Sequence, residues 1–303
     1  MKTIVVKKGT NVDRISKAVE LVDDGGTIIV FPGKYVEKLK IKKSLKIYGF
    51  DPEKTVISYC DHAKKVDEAG AEYGTFRTYT LMLAAGNIEI KSITVENTSG
   101  PGEIRGQAVA LHTLGDKIKL TNCILKSYQD TIFLGPLPAD LRERYQSLLP
   151  EDELIDLKNA RVWIDSSTII GDVDFIFGSA NALFTNCKIK SQREGYVAAP
   201  STPEDQKYGL TFLNCVFEGE GEYNTYLARP WRDYGKAVFI GCDYGKHIKE
   251  EGFHHWEDGR ESTCRFHEAD CRYVDGAEYK RVGYIKELSA EEIAEYTAEN
   301  LFG

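Results

Sequence analysis

The chain has 303 residues, room for about two domains of roughly 150 residues and for a sizeable core without disulfides or a metal. Apolar residues make up 42% and charged residues 28%, an ordinary globular profile, while 27 Gly and 9 Pro are too few for a collagen-like or low-complexity chain. A net charge of −8 with no long basic stretch argues against general nucleic-acid binding.

At the amino terminus charges interrupt every apolar run, so neither a signal-peptide core nor a membrane-spanning run is seen. Seven scattered cysteines are expected to be reduced thiols in the cytoplasm, or to belong to a secreted protein if a leader was removed. Val12, Ile15, Val19 and Val22 recur at helical spacing until Gly25 and Gly26, which predicts a helical cap within 10–25. From 27 to 285 the chain reads as short β-rich runs broken by Gly, Asn, Asp and Pro. Ser289 and Glu292 then form a capping box that opens a predicted helix over 289–302.

The β-rich runs resemble one another. IEIKSITVEN (88–97), IKLTNCILKS (118–127), ALFTNCKIKS (182–191), LTFLNCVFEG (210–219) and AVFIGCDYGK (237–246) share one pattern, an alternating apolar stretch, a small or polar pair and a second apolar stretch. This reading puts Ser92, Cys123, Cys187, Cys215 and Cys242 in one column, at steps of 31, 64, 28 and 27 residues. The long step holds another copy, VWIDSSTIIG (162–171), and an insertion over about 135–160. A strand-only repeat of about 25–30 residues predicts an all-β, single-domain parallel β-helix, with the column stacked inside it and Asn at its bends. A β-sandwich or a propeller fits the spacing less well, because sandwich strands lie closer and propeller blades need about 40 residues. The insertion is polar and interrupted by prolines, which suggests a surface excursion with one short helix, overhanging any groove beside 128–133.

The chain contains no G-x-S-x-G elbow, P-loop, H-E-x-x-H or C-x-x-C. The adjacent His254 and His255 point to opposite faces of an extended chain, so no metal is expected. Four segments set polar groups inside apolar runs: Gln107 in GQAVALH, Gln129 and Asp130 in YQDTIF, Asp172 and Asp174 in GDVDFIFGSA, and Arg229 and Trp231 in LARPWRDY. Taken singly, each reads as part of a solvated sheet face. In a β-helix, however, neighbouring coils lie about 4.8 Å apart, so these segments can line one groove. A carboxylate paired with Arg stays ionised and can act as nucleophile or base, and a second carboxyl beside it holds its proton. Gln amides can donate to an oxyanion, and Phe133, Phe177 and Trp231 can stack on sugars.

GQAVALH, QDTIF, DVDFIFGSA and LARPW together resemble the signature segments of the pectinesterase family, with GTIIVFPGKYVEKLKI (26–41), GTFRTYT (74–80) and GFHHW (252–256) in the expected order. The resemblance covers roughly residues 10–285. It implies a right-handed parallel β-helix that hydrolyses methyl esters of galacturonate in pectin or oligogalacturonides, releases methanol and needs no cofactor. It makes Asp174 the nucleophile and Asp130 the acid and then base. Gln107 and Gln129 line the oxyanion site, Arg229 holds Asp174, and Trp231, Phe133, Phe177 and Thr80 bind substrate. Phe253 stands where the family has the first Trp of its Gly-Trp-x-x-Trp segment, Ala228 replaces a usual Gly, and the 135–160 insertion exceeds the short link of plant-type members. The expected partner is a methyl-esterified galacturonan or oligogalacturonide substrate, with no nucleic acid or membrane, and the protein is expected to be a monomer. The acidic net charge fits a small or partly esterified substrate. A β-helix polysaccharide lyase, another acyl esterase or thioesterase, and a non-catalytic carbohydrate-binding protein remain as other readings at this stage.

Overall fold

The computed structural model describes residues 2–146, 149 and 157–303. Their strands form an eleven-stranded and a fourteen-stranded sheet, and every pairing between named strands is parallel. The first sheet runs from Thr3–Val6 to Lys286–Glu287. The second forms two faces, because Thr168–Gly178 and Lys188–Pro200 are long enough to bend from one to the other. The result is a three-faced parallel β-helix whose coils are joined without intervening long helices, as the repeat predicts.

Alternation with a period of two turns every second residue inward, and parallel register stacks equivalent positions from coil to coil. Ile28, Ile47, Ile90, Leu120, Ile164, Phe184, Phe212 and Phe239 make one such column, all fully buried. Phe184, Phe212 and Phe239 stack face to face at 4.7 and 4.8 Å, which is the strand spacing itself. At the far end the column meets Glu268, which accepts hydrogen bonds from Arg281 and from the Tyr244 hydroxyl. That buried carboxylate is therefore paired where the stack ends.

The bends explain the Asn–Cys pattern and correct its register. Asn122, Asn186 and Asn214 adopt positive φ, which Asn tolerates better than most residues, and Cys123, Cys187 and Cys215 follow them into the core. Ser92 lies in the Asn row at φ 55°, and it is Ile93 that lies level with Cys123. Cys271 belongs to the Cys row as well, since its thiol donates to the carbonyls of Phe239 and Ala269 as Cys242 does to those of Phe212 and Ile240.

The open N-terminal end is covered by the helix Ile15–Leu21, within the predicted cap, which buries Ile15 and Ala18. Its first amides are capped from a distance, with Ile15 and Ser16 N–H donating to Glu37 at 2.8 and 2.9 Å. The C-terminal segment forms two short helices in place of the single predicted one. Ala290–Ala294 opens with the expected Ser289–Glu292 capping box, and Thr297 caps a second helix, Ala298–Phe302. Thr297 is extended, which breaks the helix, and Leu301 is then buried against Leu183 and Tyr208. In the insertion the expected short helix is Ala139–Tyr145, while residues 147, 148 and 150–156 lie outside the described residues.

Candidate active site

The third face carries the short strands Leu81–Leu83, Leu111–Thr113 and Ile132–Leu134, followed by the distal halves of the two long strands. Its register is interrupted at one place. Thr168–Gly178 pairs with Lys188–Pro200 in two stretches, with shifts on either side of Val173. Such a bulge re-aims side chains, and Asp174 sits within it at φ 48°. Asp130 also has positive φ, 61°, just before its strand. Both carboxylates are thus held by left-handed backbone that extended strand geometry would not supply. Gly171 permits the approach, because a Cβ there would lie 2.2 Å from Cβ of Phe175 and 2.7 Å from the Thr131 hydroxyl.

Asp130 and Asp174 open into one cleft of about 410 Å³, shared with Gln107, Gln129, Phe177, Arg229, Trp231 and Trp256. Arg229 grips Asp174 with two hydrogen bonds, Nε to Oδ1 at 2.8 Å and Nη2 to Oδ2 at 2.7 Å. The guanidinium is itself clamped between aromatic rings, 3.7 Å from the centre of Tyr196 and 4.0 Å from that of Trp256. Burial raises the Asp174 carboxyl above its ordinary value, and the Arg229 hydrogen bonds and charge oppose that rise. Among the described residues Asp130 has no such partner. Burial first, then the nearby Asp174 charge, push it well above the usual carboxylate range. The two carboxyls are therefore split, with Asp130 holding a proton more firmly than Asp174. The side-chain amides of Gln107 and Gln129 make no hydrogen bond to another described residue, so both donors are free to meet a substrate oxygen.

The sequence pattern of the pectinesterase family matches residues 2–137 and 151–303. The chain belongs to the pectinesterase family. Among its relatives, Pectinesterase QRT1 of Arabidopsis thaliana is 31% identical over 309 residues, spanning 96% of this chain and 75% of the relative. Pectinesterase 31 of the same plant is 28% identical, spanning 93% and 86%. A pectin methylesterase crystallised in complex with a hexasaccharide superposes with a TM-score of 0.81 at 25% identity, covering 99% of this chain and 96% of that one. The pectin methylesterase from Yersinia enterocolitica gives 0.79 at 26% identity, over 96% and 98%. Family, relatives and fold identify an ester hydrolase that demethylates pectin.

All five polar residues singled out by the pectinesterase segments, Gln107, Gln129, Asp130, Asp174 and Arg229, line this cleft, and so do Trp231 and Phe177. Two expected substrate contacts do not. Thr80 is fully buried, and its hydroxyl donates to the Glu96 carbonyl at 2.9 Å. Phe133 is fully buried too, packed edge-on to Phe76 and His112 and tilted against Phe177, all within 5.1 Å. The reason is that the outer side of this face is not bare. The TFR segment and the start of the insertion lay Phe76, Leu137 and Leu141 over Met82, Val109, Phe133 and Phe177, making a second apolar cluster. Phe177 reaches the cleft as a buried wall, not as the exposed ring expected. Asp172 also lies away from the cleft, held by Arg193 at 2.6 Å, which in turn bridges to Glu103.

Tyr73, Phe76, Tyr145, Tyr196 and Trp256 were not among the candidates. Trp256 and Phe76 had a signal, since GFHHW and GTFRTYT carry them; Tyr196 and Tyr145 had none, since only the folded chain brings them to Arg229 and to the cleft.

Proposed function

We propose that this pectinesterase acts through Asp174 and Asp130 by two-step acyl transfer on methyl-esterified galacturonate units of pectin or oligogalacturonides. An Asp174 carboxylate oxygen attacks the ester carbonyl carbon, and the carbonyl electron pair moves onto oxygen, where the Gln107 and Gln129 amides donate hydrogen bonds. Collapse breaks the bond to methoxide, which takes the Asp130 proton and leaves as methanol. The galacturonyl group is then joined to Asp174 as a mixed anhydride. Asp130, now ionised, removes a proton from water as the water oxygen attacks the acyl carbon. The second collapse releases the acid and restores both the Asp174 carboxylate and the protonated Asp130.

The observation that carries this reading is the unequal pair: Asp174 held by Arg229 through two hydrogen bonds and, in the same cleft, a buried Asp130 with no cation bonded to it among the described residues, beside two amides that bond no described residue. Burial and the Asp174 charge favour the protonated form of Asp130. Methanol release from methyl-esterified oligogalacturonides and from long pectin tests it. Release by the wild type is expected to collapse in Asp174→Asn, without unsaturated sugar products in either; an Asp174→Asn enzyme as fast as wild type overturns the assignment. A cytoplasmic role on imported oligogalacturonides is supported by seven unbridged cysteines, and the native protein in culture medium overturns it.

A further inference from the structure

The family match stops at residue 137 and resumes at 151, yet the helix Ala139–Tyr145 inside that gap delivers Tyr145 to the cleft. Two anchors hold the helix there. Leu141, four residues before Tyr145 and hence on the same helix face, is buried in the cluster with Phe76, Phe133 and Phe177. Asp140 forms an ion pair with Arg232, the residue next to Trp231.

The other rings of the cleft are already engaged. Lys38, Lys65 and Arg77 sit over Tyr73, and Arg229 covers Trp256. Phe76 and Phe177 are buried walls, 7% and 3% exposed. Trp231, edge-on to Phe177 at 5.8 Å, and Tyr145 are the half-buried rings left. Tyr145 leans on the apolar cluster, and among the described residues its ring and cation contacts are Phe76 at 6.1 Å and its neighbour Arg144 at 5.9 Å.

Resting on the methylesterase reading, we infer that Tyr145 is a specificity-determining residue, a sugar-stacking wall added by a segment outside the family pattern. Its ring packs against the C–H face of a galacturonate unit beyond the ester being cleaved, so it favours chains over single sugars. The contact is remote from the reacting atoms and binds ground state and transition state alike, so it acts on KM and not on kcat.

The test compares wild type, Tyr145→Ala, Tyr145→Gln and Tyr145→Phe on a methyl-esterified hexagalacturonide and on galacturonic acid methyl ester. We expect Tyr145→Ala and Tyr145→Gln to raise KM for the hexamer by about 3- to 10-fold, with kcat within about twofold, and to leave the monomer ester unaffected. Tyr145→Phe restores the hexamer KM. The Gln variant keeps more of the side-chain volume than Ala while removing the ring, and carries the test if the Ala variant unfolds. An unmoved hexamer KM, an equal rise on the monomer ester, or a Phe variant as impaired as Gln overturns the inference. No methanol from the wild type on either ester overturns the methylesterase reading instead.

Discussion

The face built on Thr3–Val6 and its successors holds its register coil after coil, whereas the face bearing Asp174 loses register around Val173 and puts two aspartates at positive φ. Both are made by the same turns of the same chain. The first stacks Phe184, Phe212 and Phe239 at strand spacing and buries every member of its column from Ile28 to Glu268. The second accepts strained backbone and buried carboxylates, features that weaken a fold and suit a reaction. Stability and chemistry are thus separated by face, and substitutions should separate them too.

The largest expected effect is on the irregular face. Asp130→Asn keeps shape but can neither give nor take a proton, so kcat is expected to fall by about 10²- to 10⁴-fold. The pH profile should break with it. In the proposed mechanism acylation requires ionised Asp174 and protonated Asp130, so activity should fall on the acid side as Asp174 takes up a proton and on the alkaline side as Asp130 loses one. Burial raises both groups, Asp130 far more, which places the bell above the ordinary carboxylate range. Stability follows the same sign. A folded value above the unfolded one means that stability present at low pH is lost as pH rises through the folded Asp130 value. Asp130→Asn should remove that loss, and a thermal melt that keeps the wild-type pH slope contradicts the buried-acid assignment.

On the regular face the converse holds. Phe212 stacks between Phe184 and Phe239, and Phe212→Ala is expected to cost about 3–5 kcal/mol of unfolding free energy. Below its lowered melting range the variant should still release methanol at close to the wild-type rate. A loss of kcat with unchanged stability would erase the division between faces.

This division also marks what could be read from the sequence. Period-two alternation and the Asn–Cys bends are repeated in many coils, so a register error at Ser92 did not hide the solenoid. Gln107, Gln129, Asp130, Asp174 and Arg229 were legible as polar breaks in apolar runs and as family segments. Thr80 and Phe133 were misread because alternation tells inside from outside, while a second apolar layer over the third face makes its outside a core. Tyr196 gave no sign in sequence. Its strand pairs Tyr196 with Tyr226, and its contact with Arg229 exists only once Lys188–Pro200 bends toward the cleft.

A smaller effect tests the aromatic clamp as positioning machinery. Tyr196→Ala frees one face of the Arg229 guanidinium, which then holds Asp174 less rigidly; we expect kcat to fall about tenfold with KM little changed. The acid limb of the pH profile should move upward, because Arg229 opposes the burial-driven rise of Asp174. Tyr196→Phe retains the ring face and should restore both quantities. A merely structural tyrosine would lower the melting temperature without moving the acid limb.

The smallest expected effect lies in the Cys row, which runs along the bends and lines no part of the cleft that holds Asp130 and Asp174. Cys215 is fully buried, its thiol is pushed up by burial, and it donates to the carbonyls of Phe184 and Leu213. A thiol in such a place is a small apolar filler, far from the thiolate that reacts. Cys215→Ala therefore removes one buried atom and should cost about 1 kcal/mol, with methanol release unchanged. A thiol reagent should label the exposed Cys60 in the native protein well before Cys123, Cys187, Cys215 or Cys242. Rapid labelling of all four buried thiols at temperatures where the enzyme is active would show that the coils open there, and the regular face would then not be the rigid frame against which the bulge at Asp174 is set.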